Sequence, residues 1–107
     1  MKRNRKQLEN AIQRARSRRS KAIACYCLGV FHDNNNRESD AIPCYRQALR
    51  IGLNRPTKAK ALTWLSSSLY KVGKRKVALQ YARQAKRIAK DPLLSRFIEG
   101  LIRRILT

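Results

Sequence analysis

Residues 22–53 read AIACYCLGVFHDNNNRESDAIPCYRQALRIGL, and residues 59–92 read AKALTWLSSSLYKVGKRKVALQYARQAKRIAKDP. Laid over one another at an offset of 37, the two stretches align without a gap. Cys25 meets Leu62, Leu28 meets Leu65 and Gly29 meets Ser66, while Ala41, Tyr45 and Ala48 meet Ala78, Ala82 and Ala85. Within each copy the apolar positions recur at helical spacing, Cys25, Leu28 and His32 in the first and Leu62, Leu65, Leu69 and Val72 in the second. No segment alternates apolar and polar residues as a half-buried strand would, so the chain reads as all-α. Breaks at Asp33–Asn36, Gly52–Pro56, Gly73 and Asp91-Pro92 divide it into about five helices joined by short loops. Asn35 with Glu38 three residues on has the pattern of a capping box, and Asp91-Pro92 that of a helix start.

The doubled pattern resembles the tetratricopeptide repeat, a helix–turn–helix unit of about 34 residues with small and aromatic residues at set positions. Leu28-Gly29 holds the Leu-Gly position, Ala41, Tyr45 and Ala48 the second-helix positions, and Pro92 the closing proline. Cys25 and Leu62 stand in place of the family's Trp, His32 and Leu69 in place of its first-helix aromatic, and Ser66 in place of a Gly. The loop at Asn54–Thr57 is lengthened. Small residues at Gly29, Ala41 and Ala48 let two helices approach closely, with Tyr45 filling the gap. Pro43 falls between these positions, early in the second helix where part of the backbone ladder is already unmatched.

The resemblance implies a first repeat over 22–53 and a loop and second repeat over 54–92, flanked by a basic N-terminal helix over 1–21 and an apolar C-terminal capping helix over 93–107 read from charge and spacing. It also implies a concave surface, lined by the first helices of the repeats, that takes an extended peptide or a partner helix. The positions carried over are Ile23, Tyr26, Val30 and Asn34, then Lys60, Thr63, Trp64, Ser67 and Lys71. The family's clamp for C-terminal carboxylates needs Lys and Asn where Tyr26 and Val30 stand, and Asn where Trp64 stands. A different ligand is expected here.

Charge says more about that ligand. The chain of 107 residues carries 26 Lys and Arg against 6 acids, a formal +20. Self-repulsion on that scale points to an anionic partner or surface. Yet 43% of the residues are apolar, so this is no disordered basic tail. Residues 1–21 carry +8, residues 22–53 balance to zero, residues 54–92 carry +10 and residues 93–107 add +2. Attraction would therefore act through particular faces. Lys76, Gln80, Arg83, Arg87 and Lys90 follow helical spacing on one face, bordered by Lys74, Arg75 and Lys86, with no acid along the chain until Asp91. Arg14, Arg18 and Lys21 of the N-terminal helix extend the set. Such faces hold phosphates or acidic proteins by charge, but few aromatics are interleaved for base stacking.

Trp64 lies off the Leu62–Leu65–Leu69 stripe and shares its side with Lys60, Ser67, Ser68 and Lys71. It reads either as an interface anchor or as cover for the first repeat's neighbouring helix. Cys25, Cys27 and Cys44 leave one thiol unpaired in any disulfide scheme, which fits a reducing, cytoplasmic setting. Core packing accounts for all three, and no metal site or cofactor is expected. No phosphate-cradling Gly loop or nucleophile–base signature is present, so the chain is read as non-catalytic. The apolar runs are short and broken by Arg, and no membrane span is expected. The first twenty residues are basic without the apolar run of a signal peptide, and the Leu8–Ile12–Ala15 spacing with Glu9 reads as folded helix rather than transit peptide.

In the last fifteen residues, Leu93, Leu94, Phe97, Ile98, Leu101, Ile102, Ile105 and Leu106 are apolar. That stripe is wide for a cap alone. It packs either within the monomer, between the second repeat and the N-terminal helix, or across a homodimer. The charge favours the monomer. The sequence thus points to a protein–protein adaptor or scaffold binding an acidic peptide or helix, with RNA, DNA or ribosome binding through the basic faces as the alternative.

Overall fold

The computed structural model describes residues 4–107, which form six helices: α1 (Arg5–Arg14), α2 (Arg18–Asn34), α3 (Glu38–Ile51), α4 (Arg55–Lys71), α5 (Arg75–Ile88) and α6 (Pro92–Leu106). The count exceeds the expected five because the basic N-terminal stretch breaks at residues 15–17. Ser17 turns extended there, and its hydroxyl accepts from the Ser20 amide at 3.0 Å, opening α2. Arg18 and Lys21 therefore lie on the first turn of α2, not on the N-terminal helix. That helix has its own capping box: Asn4 and Gln7 exchange side chain-to-backbone bonds of 2.9 and 3.0 Å.

The asparagine run closes α2 instead of opening α3. Asn35 Nδ2 donates back to the Phe31 carbonyl at 2.7 Å, and Asn36 takes the left-handed conformation at φ 58°. With Asn35 committed backwards, the expected box with Glu38 does not form, and the N-cap of α3 is Arg37 without a side-chain cap bond. Asn54–Thr57 is not a loop either. Asn54 caps α4 by accepting from the Thr57 amide at 3.2 Å, and Pro56 sits in the first turn. Asp91 caps α6 as its sequence suggested, accepting from Leu93 N at 2.9 Å. The three caps Ser17, Asn54 and Asp91 are thus spaced by the repeat offset of 37.

Pro43 is the sixth residue of α3, past the four donors that every helix start leaves free. It removes one ladder bond, the one Ser39 O would have accepted. Both residues are exposed, so water can satisfy that carbonyl, and the helix continues through.

By internal packing the chain divides into two units, Met1–Leu53 and Asn54–Thr107. In the first, α1 packs on α2 and α2 on α3, around Leu8, Ala22, Cys25, Leu28, Ala41, Tyr45 and Ala48. In the second, α4 packs on α5, and α6 on both, around Leu62, Leu65, Leu69, Ala78, Ala82, Ala85, Ile98, Leu101 and Ile105. The apolar stripe of α6 is thus largely spent within its own unit, and α1 packs on α2. Each unit repeats one further contact. Arg18 Nη2 donates to Ile51 O and Arg55 Nε to Ile88 O, each at 3.2 Å and each tying the start of a first helix to the end of the second.

Candidate functional site

The first-helix positions divide by what surrounds them. On α2, Ile23 is 42% exposed, Tyr26 and Val30 are half-buried, and Asn34 is exposed. The Tyr26 ring lies 6.1 Å from that of Tyr45, tilted by 48°. Ile23 also lines an open hollow of about 640 Å³ between α1 and α2, with Leu8, Ala11 and Arg14 on its walls.

On α4, Lys60 and Lys71 are exposed, and Trp64 and Ser67 are half-buried. Thr63 departs from expectation. It is fully enclosed, and its hydroxyl donates to the Ala59 carbonyl at 2.7 Å, so it offers a partner nothing. Its polar side chain passed for a surface residue in sequence, but a Thr hydroxyl that bonds back into its own helix buries easily.

Trp64 packs edge-on against Phe97 of α6, ring centroids 5.3 Å apart at 70°. Phe97 is itself 40% exposed, and the Arg104 guanidinium lies over its ring at 6.0 Å. One aromatic pair, half open to solvent and with Arg104 over the Phe97 ring, therefore joins α4 to α6, and the exposed Lys60 and Lys71 fall on the Trp64 side of α4 by helical spacing. Phe97 and Arg104 were missing from the sequence-based site because they lie 33 and 40 residues beyond Trp64.

The basic face of α5 is real but unevenly committed. Ala78, Ala82 and Ala85 are buried on one side, and Lys76, Gln80, Arg83 and Arg87 are exposed on the other. Lys90 lies beyond the helix, and Lys74 is its N-cap. Lys86 pairs with Glu99 of α6 at 3.1 Å, so an acid distant in sequence does reach this face. Arg75 donates to Ile105 O and lies over the Tyr70 ring at 6.0 Å. Arg14 is exposed at the end of α1, whereas Arg18 is held by Ile51 O. In the second unit Glu99 is paired and Asp91 serves as a cap, so both its carboxylates are engaged.

Titratable groups in the first unit respond to burial. His32 is 3% exposed, its Nδ1 has no hydrogen-bond partner, and burial holds its pKa below the usual histidine value. Burial also raises the Cys25 thiol and pushes Cys44 up to about 11, which leaves both as thiols at neutral pH. Tyr45 is raised by burial and by donating its hydroxyl to Asp33. All three cysteines are free. Among the described residues no three His, Cys, Asp or Glu side chains gather as metal ligands, and no helix is long and apolar enough to cross a membrane.

A family model described as Tetratrico peptide repeat matches residues 22–99. No curated protein and no solved structure gives a match.

Proposed function

The chain belongs to the tetratricopeptide repeat family, whose members are protein-interaction modules, and we propose that it is a non-catalytic adaptor binding an acidic peptide or helix. Each unit contributes its own surface: the side of α2 that carries Ile23, Tyr26 and Val30, and the side of α4 that carries Lys60, Trp64, Ser67 and Lys71. The observation that supports this most directly is the Trp64–Phe97 pair. An aromatic anchor, partly open, with Arg104 over one ring and Lys60 and Lys71 on the same side of α4, fits an acidic segment with an apolar side chain.

Trp64 is the chain's single tryptophan, so it reports binding at its own site. Helical peptides of one length and apolar pattern, made acidic, neutral or basic, should be titrated against the protein. The acidic peptide should shift Trp64 emission and bind more weakly as salt rises. Equal binding of all three, or acidic-peptide binding that leaves the emission unchanged, would refute the assignment.

A second reading rests on the exposed Lys76, Arg83 and Arg87 stripe, which presents phosphate-binding charge without base-reading groups. It makes the partner RNA or DNA. Co-purification tests the preference: nucleic acid that survives a high-salt wash, judged by absorbance ratio, would favour this reading.

A further inference from the structure

Where α4 begins, α5 ends and α6 begins, the second unit forms a partly open cavity of about 520 Å³. Pro56, Ala59, Ile88 and Leu94 give it apolar walls, and Arg55, Lys60 and Lys90 bring three cations to it. Its one carboxylate, Asp91, is already held as the cap of α6. The lining therefore carries a formal +2.

These cations are available. Arg55 donates through Nε to Ile88 O at 3.2 Å, which orients the guanidinium and, among the described residues, leaves its two terminal nitrogens without partners. The repeat-equivalent Arg18 spends a terminal nitrogen on the matching contact instead. Among the described residues Lys60 and Lys90 have no hydrogen-bond or ion-pair partner. A positioned guanidinium fork beside two unpaired ammonium groups suits an anion with several oxygens.

We propose that this cavity binds an organic phosphomonoester, its phosphoryl group among Arg55, Lys60 and Lys90 and its apolar body on the Pro56, Ala59, Ile88 and Leu94 walls. Charge decides between anions. A phosphomonoester carries about −1.5 to −2 at neutral pH and neutralises the lining, whereas a carboxylate leaves half of it unmatched. Volume decides between phosphates, because the cavity falls in the range of small-molecule sites and is too large for the inorganic ion alone. The site shares Lys60 with the Trp64 surface, but Arg55, Lys90 and the apolar walls belong to it alone, so the proposal stands without that reading.

Calorimetric titration of the full chain at fixed ionic strength tests this with phenyl phosphate, inorganic phosphate and benzoate. Phenyl phosphate should bind about tenfold more tightly than either of the others. Lys90→Gln should weaken it by about tenfold, and Arg55→Lys, which keeps the charge but loses the fork, by a similar factor. Lys76→Gln, on the far stripe of α5, should leave it unchanged. Lys90 is exposed and outside any helix, so its variant tests the site even if Arg55→Lys perturbs folding. Equal affinity for the three probes would overturn the proposal, as would a Lys76→Gln loss matching that of Lys90→Gln. A neutral pentapeptide bearing phosphotyrosine separates the sources. Tighter binding than phenyl phosphate assigns the phosphoryl group to a partner protein, and equal binding to a free small molecule.

Discussion

The ring of Tyr45 occupies the space that a side chain at Gly29 would need. A Cβ built on Gly29 would lie 2.6 Å from Cε1 of Tyr45 and 2.8 Å from Cδ1. The ring is fully buried and cannot swing aside. At the equivalent positions of the second repeat the exchange is complementary: Ser66 fills the volume that Ala82 vacates, and its hydroxyl donates to Ala78 O at 2.6 Å. Gly29→Ala should therefore destabilise by about 1–3 kcal/mol despite a helix-propensity gain of about 1 kcal/mol. Tyr45→Ala should lessen the damage done by Gly29→Ser, copying the second repeat's solution. Denaturant unfolding of the two singles and the double measures this, and strict additivity would contradict it.

Trp64 and Phe97 should be coupled in the same sense. A double-mutant cycle with Ala at each position should give a coupling of about 0.5–1.5 kcal/mol, as edge-on aromatic pairs do. Phe97→Ala should also red-shift Trp64 emission and make it easier to quench. Trp64→Ala should weaken partner binding by about 2 kcal/mol while leaving far-ultraviolet helicity nearly intact. An uncoupled cycle with unchanged emission would remove the pair from the binding surface.

What the sequence reveals tracks whether a cause leaves a pattern of residue types. The repeat and the close approach at Gly29 are legible because small and apolar residues recur at the offset of 37, and the cap at Asp91 because Asp-Pro marks a helix start. The break at residues 15–17 is not, since Ser17 opens α2 with no Gly or Pro to mark it and the cations run on unbroken. Asn35 misled because one side chain can cap backwards or forwards, and only the course of the turn decides. The Trp64–Phe97, Lys86–Glu99 and Arg55–Ile88 contacts span 33, 13 and 33 residues. They exist only once α4, α5 and α6 pack.

His32 makes stability depend on pH. Its orphaned Nδ1 is buried, and around it Asp40 favours the charged ring, as Glu9 does weakly, while Arg5 and Arg37 oppose it. Burial outweighs these, so the folded pKa lies below the unfolded one. Above the ordinary value of 6.5 the ring is neutral in both states and has no effect. As pH falls below 6.5 the unfolded chain takes up the proton first, and stability declines until the folded state also titrates. Leu stands at the equivalent position, Leu69. His32→Leu should raise stability by about 1–3 kcal/mol by removing an unsatisfied buried group, and should flatten the pH dependence between about 7 and 5. Unfolding curves at both pH values, for both proteins, check the sign.

Ile98, Leu101 and Ile105 are all buried within the second unit. Ile98→Ala should cost about 2–5 kcal/mol, and deleting residues 93–107 should unfold that unit rather than release a weaker monomer. The +20 charge opposes self-association at low salt and is screened as salt rises. Sedimentation at two ionic strengths should show a monomer in the lower. A dimer there would mean that the exposed Leu93, Phe97 and Leu106 meet a second chain.

The stripe on α5 separates the two kinds of polyanion. Lys76, Arg83 and Arg87 are exposed opposite the buried alanines, so replacing all three with Gln should leave the fold intact. If nucleic acid binds here, the triple variant should lose affinity for RNA and DNA alike, since nothing on the stripe reads base edges. Its salt dependence should flatten by about one unit of slope for each phosphate that is no longer neutralised. An acidic peptide held at Trp64 should be affected much less, because rim charges removed at a distance act mainly through association rate. Parallel titrations of the triple variant and Trp64→Ala, with single-stranded RNA and with the acidic peptide, give a two-by-two answer. Losses confined to RNA in the first and to peptide in the second would establish two independent surfaces. An unchanged salt slope in the triple variant would eliminate the α5 stripe as a phosphate surface and leave Arg14 and the first turn of α2 as the next cations to replace.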